Sequence, residues 1–283
     1  MDIQTLLDDD LSIATLPGVY HQFQEAMSSD NASFEKIGEI ILHDSGLTAR
    51  LLQIVNSAYY GFSEPIEKIS DAIRVVGTEQ LSYLVLSTVV TDKFKSIPES
   101  VLNMESFWEH SIACGLIARE LASYKSNLEP EKFFVAGMLH DIGQIVLCTK
   151  LPLLSMKFLL DLQSQSEQID FLEKEELEFD HADLGASLLK KWNLSGFHVE
   201  MVAFHHKPNH SPHFAYEASI LHFADILANT MQLGSSGEKP VSPKIEEEAW
   251  KILGISEEIS LFDLKLKISE TYDETVSLFL QAS

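Results

Sequence analysis

Apolar residues recur along this chain at the three- to four-residue spacing of amphipathic helices, and no stretch alternates convincingly as a half-buried strand would. The pattern therefore predicts an all-α protein. A further helical stretch from Leu47 is predicted to be terminated by Gly61. The other predicted helices cover residues 11–27, 34–43, 69–76, 79–90, 105–124, a stretch after Pro130, 152–162, 167–179, 182–192, 197–206, 217–231, 245–253 and 257–280.

The chain is predicted to fold as three consecutive segments. A proline-containing stretch with little periodicity, residues 93–104, is predicted to join an N-terminal helical subdomain, residues 1–97, to a helical core, residues 98–233. A run of Gly, Ser and Pro then predicts a surface loop. This loop opens the last segment, residues 234–283, whose helices are expected to pack on the body.

A histidine–aspartate pair lies in the most apolar part of the predicted core segment. The residues that precede His140 and Asp141 leave no polar face, so this helix is predicted to be buried on all sides. A buried carboxylate is strongly destabilising unless it is paired or bound to a metal. Imidazole nitrogen and carboxylate oxygen are common ligands of Fe, Mn, Zn and Ni, so the pair suggests a metal site. A capped, buried pair is the structural alternative.

A second histidine–aspartate pair, His43–Asp44, has the same letters in a different setting. It falls at a helix end, before Ser45 and Gly46, in polar surroundings. Capping or solvation is therefore predicted for it, and no metal is assigned there.

Other histidines and one aspartate fall on apolar helix faces or at helix ends. Taken singly, each has an ordinary explanation as a core residue, as a helix C-terminus that favours positive charge, or as a paired carboxylate. Together with His140 and Asp141 they make five histidines and two carboxylates, a set that packing alone explains poorly. These further candidates are His110, His181, His205, His206 and Asp225.

Charge and hydropathy exclude several classes of partner. The formal net charge of −23 argues against direct nucleic-acid binding and disfavours anionic membrane surfaces, because both need clustered Lys and Arg. The N-terminus shows no basic and apolar signal-peptide pattern, and no apolar run is long enough to span a bilayer. Cys114 and Cys148 fit reduced thiols in a packed core. A cytoplasmic protein is therefore expected.

The order of the candidate ligands resembles the HD superfamily of metal-dependent phosphohydrolases, in particular the two-metal ligand set of its HD-GYP branch. The N-terminal part is similar to the HDOD (HD-related output domain) family, and this resemblance covers roughly residues 10–230. The residues that carry it are Leu16–Pro17, Asp44, Leu47-Thr48-Ala49-Arg50-Leu51-Leu52, Asn56-Ser57-Ala58-Tyr59-Tyr60-Gly61, Ala72–Ile73 and Gly77.

The resemblance implies a multi-helix HD-superfamily bundle with an N-terminal helical HDOD subdomain, and a binuclear centre of a divalent metal such as Fe, Mn or Zn. Asp141 would serve catalysis as the bridging carboxylate. Lys207 is a candidate contact for a phosphate, with a solvated helix-end lysine as the alternative. The implied ligands are His110, His140 and Asp225 for one metal, His181, His205 and His206 for the other, and Asp141 for both.

The sequence departs from the HD-GYP pattern at two places. Gln144 stands where those enzymes have a lysine after His-Asp-Ile-Gly, and His206 is followed by Lys207-Pro208-Asn209-His210 without a Gly-Tyr-Pro motif. The resemblance therefore does not imply that this chain hydrolyses cyclic di-GMP.

Three functions are consistent with these residues. The first is a bacterial signalling protein whose metal site hydrolyses a phosphoester or nucleotide. The second is a non-catalytic output module that binds a signalling protein partner, with a structural or relic metal site. The third is a di-iron redox or oxygen sensor, since the ligands are rich in histidine and carboxylate.

Overall fold

The computed structural model describes residues 2–8, 13, 15–29, 33–94, 101–164, 168–237 and 261–280. Every regular element within them is a helix, which confirms the all-α prediction. Among these helices none combines the length and the apolar composition that crossing a bilayer requires. The predicted helix at 245–253 lies outside the described residues.

The observed helices are close to those predicted from periodicity. They are α1 (Ile3–Asp8), α2 (Gly18–Ser28), α3 (Phe34–Leu42), α4 (Ser45–Val55), α5 (Ile69–Val76), α6 (Thr78–Lys93), α7 (Met104–Ser123), α8 (Pro130–Leu139), α9 (Ile142–Lys150), α10 (Pro152–Ser164), α11 (Ile169–Leu177), α12 (His181–Lys191), α13 (Gly196–Phe204), a 3₁₀ turn (Pro208–His210), α14 (Ala215–Met231) and α15 (Leu261–Leu280).

Packing divides the chain into two compact units. The first, here called the N-terminal unit, comprises residues 16–95 and 269–283; the second, here called the site unit, comprises residues 1–15 and 96–268. All of the predicted metal ligands lie in the site unit. The division into three segments made from the sequence stays a prediction.

Helix caps in the N-terminal unit agree with the sequence. Ser33 accepts a hydrogen bond from the backbone three residues on, at 3.2 Å, and Asp44 does the same at 2.9 Å. Asp44 is therefore an N-cap, as predicted. The stretch expected to stay helical until Gly61 ends at Val55, and Gly61 adopts φ +64° beyond the following turn.

Two glycines bring helices α7 and α8 close together in the site unit. A Cβ atom at Gly137 would lie 2.4 Å from the backbone nitrogen of Gly115, so a side chain at this crossing does not fit. The crossing places His110 of α7 beside His140, with 5.4 Å between the ring centroids.

A second close crossing joins helices α9 and α12. A Cβ atom at Gly143 would lie 1.9 Å from the carbonyl oxygen of His181 and 2.8 Å from the nitrogen of Gly185. The missing side chain lets the start of α9 lie against the start of α12. Asp141, which precedes α9, is thereby held next to His181, which opens α12.

Candidate metal centre

His140 and Asp141 lie between two helices rather than inside one. The apolar helix predicted through them ends at Leu139, and a new helix begins at Ile142. Both side chains are buried, with exposures of 0% for His140 and 3% for Asp141. Nε2 of His140 lies 3.1 Å from Oδ2 of Asp141.

A first group of ligand-type atoms surrounds one side of this pair. Nε2 of His110 lies 3.1 Å from Oδ1 of Asp225, and Sγ of Cys114 lies 3.4 Å from the same His110 nitrogen. Nε2 of His140 is 3.9 Å from Oδ1 of Asp225. The four residues are buried and each offers a ligand atom within 4.8 Å of the other three. Asn229 donates to Oδ1 of Asp225 at 2.9 Å and fixes that carboxylate.

A second group lies on the other side and consists of imidazoles. Nε2 of His181 is 2.8 Å from Nε2 of His206, and the rings of His205 and His206 have centroids 3.9 Å apart. His181 and His205 are fully buried, while His206 is half-buried. One ring nitrogen of each lies within 4.8 Å of the others.

Asp141 lies between the two groups. Its Oδ2 faces His140 of the first group, while its Oδ1 lies 3.4 Å from Nε2 of His181 and 3.5 Å from Nε2 of His205 in the second. The structure thus brings together all seven residues that the sequence nominated as ligands, around one carboxylate.

Hydrogen bonds fix the orientation of two imidazoles. Nδ1 of His140 lies 2.7 Å from the Gly137 carbonyl oxygen, and Nδ1 of His205 lies 2.7 Å from that of Val202. Because a carbonyl only accepts, each Nδ1 carries a hydrogen, and the neutral ring turns its Nε2 lone pair into the cluster. Both Nε2 atoms are buried and neither meets hydrogen-bond geometry with a described residue; Asp141 oxygens lie 3.1 Å from that of His140 and 3.5 Å from that of His205. A metal ion in each group would satisfy these two atoms, so the donor set fits a metal.

The contact between His181 and His206 also fits a cation. Nδ1 of His181 donates to Oε2 of Glu173 at 2.7 Å, so in the neutral ring its Nε2 is a bare lone pair. That atom faces a second imidazole nitrogen at 2.8 Å. A hydrogen on Nε2 of His206 would donate to this lone pair, and a metal cation bound to both nitrogens would replace that hydrogen bond.

The buried groups shift one another's pKa. Burial lowers the pKa of His140, but the Asp141 and Asp225 carboxylates and the Gly137 carbonyl together raise this pKa to about 9. Burial acts to raise the pKa of Asp141, yet the positive charge of His140 holds it well below its usual range. Burial and the charges of His205 and His181 hold the pKa of His206 well below the ordinary histidine value. The buried carboxylates are stable only beside positive charge. Either protons on the imidazoles or metal cations supply it, and the two compete for the same ring nitrogens.

Helix α11 contributes a residue that the sequence analysis missed. This helix is rich in acidic residues, yet Asp170 and Glu173 are each only 2% exposed. Oε2 of Glu173 accepts from both the backbone nitrogen and Nδ1 of His181, at 2.8 and 2.7 Å. The signal was present in the apolar residues Ile169 and Leu172, which precede each of these acids by one position.

Cys114 is the other missed member of the cluster. Both cysteines are buried, as predicted. Cys148 belongs to neither ligand group, and burial raises the pKa of its thiol to about 11. Cys114 instead directs Sγ at His110, one helical turn before it on α7. The spacing of four residues was the available signal.

Lys207 and Gln144 lie outside both ligand groups. Lys207 is exposed, and its Nζ is 3.4 Å from Oδ2 of the buried Asp170. Gln144 is buried and lines a cavity of about 10 Å³ with Cys148 and other residues of α9, α10 and α11. His222 is buried, and its Nδ1 donates to the His205 carbonyl at 2.7 Å.

Comparison with known proteins identifies the family. A sequence model of the HDOD domain matches residues 13–208. The chain belongs to the HDOD family. This HDOD chain is similar in structure to an HDOD domain protein of unknown function from Geobacter sulfurreducens, with 25% identity, a TM-score of 0.69 and coverage of 98% of this chain and 97% of that one. It is also similar to a candidate phosphohydrolase from Shewanella amazonensis SB2B, with 21% identity, a TM-score of 0.76 and coverage of 98% and 96%.

One curated relative is an uncharacterised protein from Treponema pallidum (strain Nichols). It is 26% identical over 202 residues, which are 71% of the HDOD chain and 39% of the relative. The chain thus spans about two fifths of the length of this relative.

Proposed function

We propose that this HDOD protein is a bacterial signalling protein whose site unit holds two divalent metal ions and hydrolyses a phosphoester, with nucleotides as the leading substrate class. The observation that carries the proposal is the position of Asp141, whose two oxygens face separate groups of buried ligands. The candidate phosphohydrolase from Shewanella amazonensis has the same fold and supports this reaction class.

Each group would hold one cation of the Fe, Mn or Zn type. Asp141 would contact both ions, as shared carboxylates do in two-metal sites. Bound in this way, the metals would polarise a phosphoryl oxygen and lower the pKa of a coordinated water. The residues proposed for the first ion are His110, His140 and Asp225, and those for the second are His181, His205 and His206.

The remaining residues would orient the ligands and bind substrate. Glu173 and the carbonyls of Gly137 and Val202 hold three imidazoles by their Nδ1 hydrogens. Lys207 would bind a phosphate oxygen of the substrate, in exchange for its contact with Asp170. The exposed position of the Lys207 ammonium leaves it accessible for that exchange.

Glu173→Gln is expected to weaken metal binding by about 10–100-fold, the usual effect of removing an outer carboxylate from a ligating histidine. The amide loses the negative charge that keeps the Nδ1 hydrogen of His181 in place and makes its Nε2 a stronger donor. Competition titration with a chromophoric chelator measures the change.

Glu176→Gln is the matched control for this prediction. Glu176 lies on the same helix, but it is half exposed and pairs with Lys157. Its substitution is expected to leave metal affinity unchanged. Equal affinities for the two variants would show that Glu173 has no role in orienting a ligand.

Hydrolysis is tested by incubating the protein loaded with Zn²⁺, Mn²⁺ or Fe²⁺ with a broad panel of phosphomonoesters, phosphodiesters and nucleotides. Product release by the wild type and loss of release in His140→Ala are expected, because His140 belongs to the first ligand group. Release that is the same in both proteins, or absent from both, would refute catalysis at this site.

A non-catalytic output module is the second candidate, and Gln144 favours it. The chain lacks the lysine that HD-GYP enzymes place at this position, and the Gln144 side chain lines a cavity outside the ligand groups. In this function the metal would be structural and a signalling protein would be the partner. Partner binding that is unchanged by chelation, together with no hydrolysis of any panel member, would support it.

A further inference from the structure

We propose that Cys114 is a thiolate ligand of the first metal position and makes that position selective for thiophilic cations such as Zn²⁺. The inference rests on the proposed metal centre and adds a residue to it. The sulfur belongs to a compact group with one atom each of His110, His140 and Asp225.

The position of Cys114 follows from the helix that carries it. His110 and Cys114 are four residues apart on α7, so their side chains leave the same face, one above the other. That face looks toward Asp225 on α14, and both Cys114 and His110 have 0% exposure. The thiol is therefore held in the cluster by the same helix that holds an imidazole.

Four distances in this group are close to those between neighbouring ligands of one metal ion. With ordinary metal–nitrogen, metal–oxygen and metal–sulfur bonds, neighbouring ligand atoms lie about 3.4–3.6 Å apart. Cys114 Sγ is 3.4 Å from His110 Nε2 and 4.0 Å from Asp225 Oδ1. The oxygen–nitrogen distances from Asp225 to His110 and His140 are 3.1 and 3.9 Å. These four distances differ from the expected values by about half an ångström or less, and the two remaining pairs of ligand atoms lie within 4.8 Å.

A second observation points into the same space. Nε2 of His140 is buried and meets hydrogen-bond geometry with no described residue, and in the neutral ring its lone pair faces this group. The thiol thus shares its surroundings with a nitrogen that a metal ion would satisfy.

Coordination by Cys114 changes the chemistry of the first position. The S–H proton leaves to solvent or buffer, and the sulfur electron pair forms the bond to the cation. Addition of a thiolate to the two imidazoles and to the carboxylates of Asp225 and Asp141 favours Zn²⁺ or Co²⁺ over Mn²⁺, because thiolates select softer metals. The second position has imidazole and carboxylate donors only, so its preference is different.

The test uses the full chain reconstituted with Co²⁺ as the probe. A near-ultraviolet sulfur-to-cobalt charge-transfer band is expected in the wild type, and its loss is expected in Cys114→Ser with the visible cobalt bands retained. Cys148→Ser is the matched control, since Cys148 is buried but belongs to neither group. We also expect Cys114→Ser to reduce the preference for Zn²⁺ over Mn²⁺ by at least about tenfold. Removal of a residue that only orients a ligand already lowers metal affinity by about that factor.

X-ray absorption of the zinc-loaded wild type gives a measurement that does not depend on the folding of a variant. A sulfur scatterer at about 2.3 Å is expected. Cobalt bound with visible bands but no charge-transfer band, or a zinc shell without sulfur, would overturn the role of Cys114 and leave the metal centre standing. No binding of either ion would overturn both.

Discussion

Gly143→Ala is expected to destabilise the site unit by about 3 kcal/mol or more, at the upper end of what overpacking produces. The added methyl carbon would lie 1.9 Å from the carbonyl oxygen of His181, a backbone atom that no rotamer change can move. Relief of this overlap requires α9 and α12 to separate by more than an ångström. Urea denaturation followed by circular dichroism measures the change in the free energy of unfolding.

Gly196→Ala is the matched control for this substitution. Gly196 is the first residue of α13, and a Cβ atom there meets nothing within 4 Å. Alanine is therefore expected to be neutral or to stabilise by up to about 1 kcal/mol, through its higher helix propensity. Similar unfolding midpoints for the two variants would contradict the close crossing of α9 and α12.

Periodicity was sufficient to predict the helices of this fold because nearly every helix buries one apolar stripe. It was less informative where the chain changes direction inside an apolar stretch. The run through His140 and Asp141 has no Gly or Pro between Leu139 and Ile142, so composition alone predicted one helix where there are two. That break is what turns both side chains into the cluster.

The clustering of these seven residues could be predicted because buried histidines and carboxylates on apolar faces are individually uncommon and rarely accumulate without function. The residues that support the ligands were harder to recognise. Glu173 lies among acids on a helix of low mean hydropathy, where the neighbouring apolar residue Leu172 was a weak signal of its burial. Cys114 was attributed to the core because a buried thiol is usually inert packing.

The structural role of two glycines could not be predicted from the sequence. Gly143 and Gly185 could be seen in the sequence, but their role depends on which helices cross and how closely. Such information is tertiary and has no local signature. The same applies to His222, whose contact with the His205 carbonyl depends on the packing of α14.

Asp141→Asn is expected to remove nearly all metal, from about two ions per chain in the wild type to well under one. The amide keeps the size of the side chain but lacks the charge that two cations would share, and its nitrogen replaces one of the two oxygens that face the ligand groups. Elemental analysis of protein purified without metal-affinity resin or chelator measures the content. The same analysis identifies the metal, and iron with an oxidation-dependent spectrum would favour a redox sensor over a hydrolase.

Asp44→Asn is the matched control, because His43–Asp44 repeats the dipeptide without the buried surroundings. Asp44 caps α4 through its hydrogen bond to the Leu47 nitrogen, a role that asparagine fills equally well. Its metal content should equal that of the wild type. If Asp141→Asn retains one ion, the cluster binds metal but Asp141 serves a single position; if it retains two, this carboxylate is not a ligand. If the wild type contains no metal under iron-replete, reducing conditions, the output module is favoured. The buried carboxylates of the cluster would then be neutralised by imidazole protons alone.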